Sequence, residues 1–261
     1  MRLLILGANG KLARLLRASW PKSKEPEPVW LDTPNIDLRS ASQALSDAMK
    51  GVDAVLNLAG VTRETGTRAF SDNVAIAHTV LSSAAGLPVI LCSSAAVYGD
   101  RNEVCHEDMP AKPLSPYGRS KLEMEQVAAD FEGATCLRIS NVAGADALFG
   151  HVREHYQLDR FPGGGFPVRS YIGPHHLASV IAKLALLAGA GRSLPKILNV
   201  AAETPVRMDA LLDEAGKDWT PVPAPLGAIE SVHLDISRLA KLLATNSPYP
   251  SVLEDLRAVR R

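Results

Sequence analysis

Ser94, Tyr117 and Lys121 are the residues of this chain whose types and spacing could do chemistry together. Ser94 closes an apolar, strand-like run over 88–93 and is followed by Ala95-Ala96-Val97-Tyr98-Gly99. Ser115-Pro116-Tyr117-Gly118-Arg119-Ser120-Lys121 then opens a helix, and the four-residue step from Tyr117 to Lys121 sets both on one helical face. A phenol that ionises near about pH 10 is a poor base at neutral pH, and an adjacent ammonium favours its phenolate. A serine hydroxyl can hold a substrate oxygen while the tyrosine passes its proton, so the set suits acid–base work at one C–O centre. A tyrosine four residues before a lysine is common by itself. The serine strand before it, and a glycine turn earlier in the chain, give it weight.

That turn is Gly7-Ala8-Asn9-Gly10-Lys11-Leu12-Ala13, between an apolar strand at 3–6 and a helix carrying Leu12, Leu15, Leu16 and Trp20. Two glycines allow a tight turn, so a dinucleotide pyrophosphate can lie at the helix N-terminus, and the small Ala13 lets helix and strand pack closely. Asp32, at the end of the second strand, is placed to accept hydrogen bonds from both ribose hydroxyls of the adenosine half. This favours NAD as cofactor, with NADP as the alternative. Asp32 also suits an Asx turn before Pro34.

The elements that must position these groups alternate. Strands are expected at 3–6, 29–31, 54–58, 88–93, 135–139 and 197–200, with helices at 41–50, 69–85, 116–131 and 177–190. Short apolar strands alternating with helices indicate an α/β fold, a doubly wound parallel Rossmann sheet. Glycine-rich 144–167 and the chain after Ala201 break the rhythm and read as a small C-terminal substrate lobe. We divide the chain into a dinucleotide-binding domain, 1–145, and a mixed region, 146–261, holding the lobe and returning Rossmann elements at about 168–201.

Composition narrows the classes. Lys+Arg and Asp+Glu number 28 each, so the formal net charge is zero, which argues against a nucleic-acid partner. No apolar run is long enough for a secretory leader or a membrane span. Cys92, Cys105 and Cys136 lack metal or redox spacing and read as reduced thiols of a cytoplasmic protein. Adjacent His175-His176 cannot converge on one metal, and His151 with His155 lacks a third ligand, so no metal is expected.

With these motifs in order, the chain resembles the extended short-chain dehydrogenases/reductases, in the NAD-dependent epimerase/dehydratase family that includes UDP-glucose 4-epimerase. The resemblance covers nearly the whole chain. It implies catalytic Ser94, Tyr117 and Lys121, and a cofactor site of Gly7, Asn9, Gly10, Lys11, Leu12, Asp32, Asp37, Leu38, Leu58, Ala59, Gly60 and Asn73, with Tyr117 and Lys121. Arg138-Ile139-Ser140-Asn141-Val142 and Arg169-Ser170-Tyr171-Ile172 resemble segments whose Asn141 and Arg169 equivalents face the substrate, the arginine holding a nucleotide-sugar phosphate. Leu234-Asp235-Ile236-Ser237-Arg238-Leu239 resembles the turn before the family's last helix. The implied activity is epimerisation or reduction of a sugar or nucleotide-sugar hydroxyl or ketone, and the implied assembly a homodimer through the helix of Tyr117 and the one before it. Two features depart from the pattern. Ala95 and Ala96 replace the acidic pair that dehydratases use, and Gly173-Pro174-His175-His176 replaces a His-Val-Asp-Asp segment. Dehydration is therefore disfavoured. Reduction of a non-sugar carbonyl and non-catalytic dinucleotide sensing stay open, and the same three residues serve epimerase and dehydrogenase alike.

Overall fold

Successive residues of β1 (Arg2–Leu6) point to opposite faces, and both faces are buried. Leu3 and Ile5 enter one hydrophobic core, and Leu4 and Leu6 enter another. The same division runs through β3 (Ala54–Asn57), β4 (Val89–Ser94) and β5 (Ala134–Ile139): Leu56, Ile90 and Leu137 belong to the first core, Val55, Leu91 and Cys136 to the second. Strands buried on both sides read as continuous apolar runs, which is why they were legible as a parallel sheet. Each buried Leu or Ile contributes about 1.5–3 kcal/mol relative to exposure. The computed structural model describes residues 1–23, 25–31, 36–101, 103–151, 153–243 and 251–259.

With β2 (Glu27–Leu31) and β10 (Ile197–Val200), these strands form a six-stranded parallel sheet in the order β10-β5-β4-β3-β1-β2. Helices α1 (Lys11–Ser19) and α5 (Pro174–Gly189) cover the first core through Leu16, Leu177, Ile181 and Leu184. Helices α2 (Gln43–Ala48), α3 (Asp72–Ser83) and α4 (Pro116–Ala129) cover the second through Leu45, Val80 and Met124. The chain leaves β1 for β2 and returns to β3 on the other side, so the strand order reverses between β1 and β3. Ligands of open α/β sheets bind in the crevice at such a point.

β6 (Asn141–Val142) pairs with β9 (Tyr171–Ile172) just beyond the end of β5. Beyond this lie two small sheets: β7 (Tyr156–Arg160) beside β12 (Trp219–Pro223), and β8 (Val168–Arg169) between β11 (Val206–Arg207) and β13 (Ser231–Val232). Helix α6 (Met208–Glu214) packs Leu211 and Leu212 against Tyr156 and Leu158. Not everything after Ala201 is lobe. Leu239 of α7 (Ser237–Leu243) joins the core of the main sheet, and α8 (Val252–Val259) sends Leu253 and Leu256 into the core of the lobe while packing beside α5. These helices are too short for periodicity to announce them. Among the described residues, no helix is long and apolar enough to cross a membrane.

The contact between α5 and α8 is electrostatic at its centre. Buried Asp255 of α8 accepts the backbone N–H of His175 (2.9 Å) and His176 (3.0 Å) at the N-terminus of α5, and pairs with His175 Nδ1 at 2.7 Å. Those amides carry the positive end of the helix dipole. Burial pushes the His176 imidazole from 6.5 down to about 4, with Asp255 opposing and Lys183 adding to the shift. The folded state therefore binds fewer protons than the unfolded chain between these values, and stability falls as pH falls. The protein should lose stability as pH drops from about 6.5 to about 4, measured as urea midpoint against pH, and His176→Gln should flatten that slope.

Candidate active site

At the reversal of strand order a cleft of about 600 Å³ opens, lined by Gly7, Ala8, Asn9 and Gly10 on one side and Leu58, Ala59, Gly60 and Val61 on the other. Gly7 has φ +81°, and a Cβ there would stand 2.5 Å from the Ala59 backbone nitrogen, so only glycine lets the turn after β1 lie against the end of β3. Gly10 precedes α1, whose first turn carries no acidic residue and no side-chain cap. Its free N–H groups suit an anionic group such as a pyrophosphate. Asp37 and Leu38 line the far end of the cleft with Arg39, Thr67, Arg68 and Asp72. Arg39 grips Asp37 through both carboxylate oxygens and holds it well below the usual carboxylate range, at about 2. Asp32 lies outside the described residues.

The catalytic candidates meet beyond Gly60. A Cβ on Gly60 would be 3.3 Å from Lys121 Nζ, so the buried lysine lies directly behind this wall of the cleft. Helix α4 begins where Ser115 Oγ accepts the Gly118 N–H at 3.0 Å and Pro116 takes the first turn, where its missing N–H costs nothing. Gly118 touches β4's continuation: a Cβ there would meet the Ala96 carbonyl oxygen at 2.5 Å. That approach brings Tyr117 to Ser94 at the end of β4. Ser94 Oγ accepts the Ala96 N–H at 3.2 Å, and Phe70 packs on Tyr117 with ring centroids 6.1 Å apart.

Burial raises the Tyr117 phenol above its ordinary value, and the hydrogen-bonding Ser94 hydroxyl opposes this. Burial also lowers the Lys121 ammonium. Lys121 Nζ donates to the Cys92 carbonyl at 2.8 Å and lies 5.9 Å from the Tyr117 ring centroid. One N–H of the lysine is thus bonded to the strand, while the ammonium stands beside the Tyr117 ring. Tyr117 rests as a neutral proton donor. Cys92 beside it stays a thiol, because burial pushes it up to about 12.

The side chains of several residues expected at the site are engaged by the protein itself. Asn73 is buried behind the cleft, where its amide pairs with the Val61 N–H and carbonyl and with Ser120 Oγ, joining the loop after β3 to α4. Lys11 turns to the Gly150 carbonyl at 2.6 Å, and Leu12 packs on the core. Asn141 stands two residues past Ile139, which pairs with Ser94, and its side chain hydrogen-bonds buried Tyr171. Arg169 donates to the carbonyls of Val168 (2.8 Å), Glu230 (2.8 Å) and Ile229, which leaves its Nε–H and one Nη2 hydrogen for a ligand. Val61, Thr67, Arg68 and Asp72 line the cleft without having been expected. They come from a loop and a helix start with no motif, although Arg39 stood two residues after an expected acid.

Residues 3–158 match the NAD dependent epimerase/dehydratase family. The chain belongs to that family. It is 40% identical over 109 residues to a UDP-glucose 4-epimerase of Azospirillum brasilense, covering 36% of this chain and 31% of that one. Over 151 residues it is 35% identical to a dTDP-4-dehydrorhamnose reductase of Sinorhizobium fredii, covering 54% of this chain and 50% of that one. The chain thus spans about a third to a half of the curated relatives it matches. Its fold is shared with a UDP-glucose 4-epimerase of Stenotrophomonas maltophila solved with bound NAD and formylated UDP-arabinopyranose, at TM-score 0.78, 20% identity, and coverage of 100% and 98% of the two chains.

The close approach at Gly118 is testable without a substrate. Gly118→Ala should lower stability by about 1–3 kcal/mol in urea denaturation, as expected for overpacking against backbone. Gly66→Ala, where a Cβ meets nothing within 4 Å, should leave the midpoint unchanged.

Proposed function

We propose that this protein is an NAD-dependent epimerase or reductase acting on a hydroxyl or ketone carbon of a sugar or nucleotide sugar. The observation that carries the reading is the meeting of Ser94, Tyr117 and Lys121 just beyond Gly60, a residue that lines a cleft opening at an uncapped helix N-terminus. The turn at Gly7–Gly10 and the N-terminus of α1 fit a pyrophosphate, and Asp37 and Leu38 fit an adenine beyond it. Bound there, a nicotinamide dinucleotide would accept or return hydride at the substrate carbon.

The chain's own residues carry the proton. Ser94 Oγ holds the substrate oxygen, and Tyr117 Oη gives its proton to a ketone oxygen or takes one from a hydroxyl. For the second direction the Lys121 ammonium must turn from the Cys92 carbonyl toward the phenol, where its charge lowers the cost of the phenolate. Asn141, at the mouth of β5, is placed to bind the substrate's other hydroxyls. Ala95 and Ala96 supply no acid or base, so water elimination is not part of this reading.

Arg169 favours a second reading within the same chemistry. Its guanidinium is largely committed to three backbone carbonyls, which suits a substrate without a diphosphate, such as a smaller ketone.

Thermal unfolding with NAD⁺, NADP⁺ and nucleotide sugars tests the assignment. NAD⁺ at a hundred times its Kd should stabilise the protein by about 2.7 kcal/mol. Tyr117→Phe should keep that gain and lose turnover of UDP-glucose or of a 4-keto sugar nucleotide by about a hundredfold or more. No gain with either dinucleotide, or full turnover by Tyr117→Phe, sinks the reading.

A further inference from the structure

Tyr117, Lys121 and Glu125 are spaced four residues apart along α4 and share one face of it. The first two are used above. Glu125 is 5% exposed, a carboxylate buried between two strands. It accepts the Ser93 hydroxyl proton from β4 and a two-pronged bond from Arg138 of β5, with Nη2 at 2.7 Å and Nε at 3.1 and 3.2 Å. Ser93 and Arg138 are direct partners in the β4–β5 register, so one helix side chain grips both strands at a single level. That level is one residue below Ser94. Arg138 is held in turn: its guanidinium lies 4.8 Å from the Tyr98 ring centroid and donates to the Glu107 carbonyl. Tyr98 donates to Asn199 of β10 at 2.7 Å, and the Asn199 N–H donates to Glu107 at 2.9 Å. The grip on α4 is therefore anchored across three strands.

We propose that Glu125 is a positioning residue: by seating its carboxylate between Ser93 and Arg138 it fixes the register of α4 on β4, and with it the place of the Tyr117 phenol against Ser94. This rests on the functional reading above, in which Tyr117 handles the substrate proton. Two tethers one turn apart then hold the helix, Lys121 to the Cys92 carbonyl and Glu125 to the Ser93 hydroxyl. A buried ion pair is costly to desolvate and weak evidence for stability, but its geometry specifies one arrangement where apolar contacts would allow several. Glu125 touches no reacting atom, so its effect must pass through the helix.

Two substitutions separate reach from charge. Glu125→Gln keeps the length and an acceptor for Ser93 but leaves Arg138 without a counter-charge. Glu125→Asp keeps the charge but draws the carboxylate back by one methylene, out of reach of one strand. The readouts are thermal midpoint, turnover of UDP-glucose and UDP-galactose with NAD⁺, and the Tyr117 resonance of full-length protein carrying ¹³Cζ-tyrosine, assigned by its loss in Tyr117→Phe. If Glu125 positions Tyr117, Glu125→Gln lowers the midpoint yet keeps kcat and the Tyr117 resonance near wild type. Glu125→Asp shifts that resonance and lowers kcat about tenfold with KM unchanged. Ser93→Ala should behave like Glu125→Asp, and it decides the matter should Glu125→Gln not fold. A kcat that follows the midpoint across the variants, with the Tyr117 resonance unmoved in Glu125→Asp and Ser93→Ala, overturns the proposal. Failure of the functional reading looks different: Tyr117→Phe would turn over as wild type, whatever the resonances show.

Discussion

The proposed chemistry of this protein depends on how one helix is seated on the end of one strand. Helix α4 brings Tyr117 and Lys121, and β4 brings Ser94. Only their relative placement turns three ordinary side chains into a set. Three contacts hold that placement: the Gly118–Ala96 approach, which admits no Cβ, the Lys121 bond to the Cys92 carbonyl, and the Glu125 bond to Ser93. All lie within the buried face of α4. Such a face is rigid because a packed interior has few alternative arrangements.

The second constraint is the reversal of strand order between β1 and β3. It opens the cleft, and the Gly7–Ala59 approach sets its floor. The cleft runs from the turn before α1 to Gly60, and Lys121 lies just beyond that glycine. Burial then sets the resting charges. It keeps Tyr117 and Cys92 protonated and disfavours the Lys121 charge.

The sheet and its covering helices were legible because strands buried on both faces cannot hide: 3–6, 54–56 and 89–92 are apolar throughout. The serine, tyrosine and glycine turn were legible for a related reason, since each sits where a strand or helix begins or ends, and the lysine follows the tyrosine by one turn. The lobe was not. Its strands are two to five residues long, and β12 carries two prolines, so neither period nor propensity marks them. The partners of Asn73, Lys11 and Arg169 were equally hidden, because each bonds groups that lie well away in sequence. Local pattern carries no information about such contacts. Gly118 and Glu125 stood in plain view between and beyond the catalytic pair, yet only the neighbouring strand gives them meaning.

The central claim is that Tyr117 works on an oxygen next to the carbon that exchanges hydride with NAD. A crystal structure of the protein with NAD⁺ tests it most directly. The expected result is the pyrophosphate on the N–H groups at the start of α1, the adenine beside Asp37 and Leu38, and the nicotinamide C4 within about 5 Å of the Tyr117 oxygen, close enough for a substrate carbon to bridge them. A nicotinamide turned away from Ser94 and Tyr117, or a pyrophosphate bound anywhere but at α1, would contradict it.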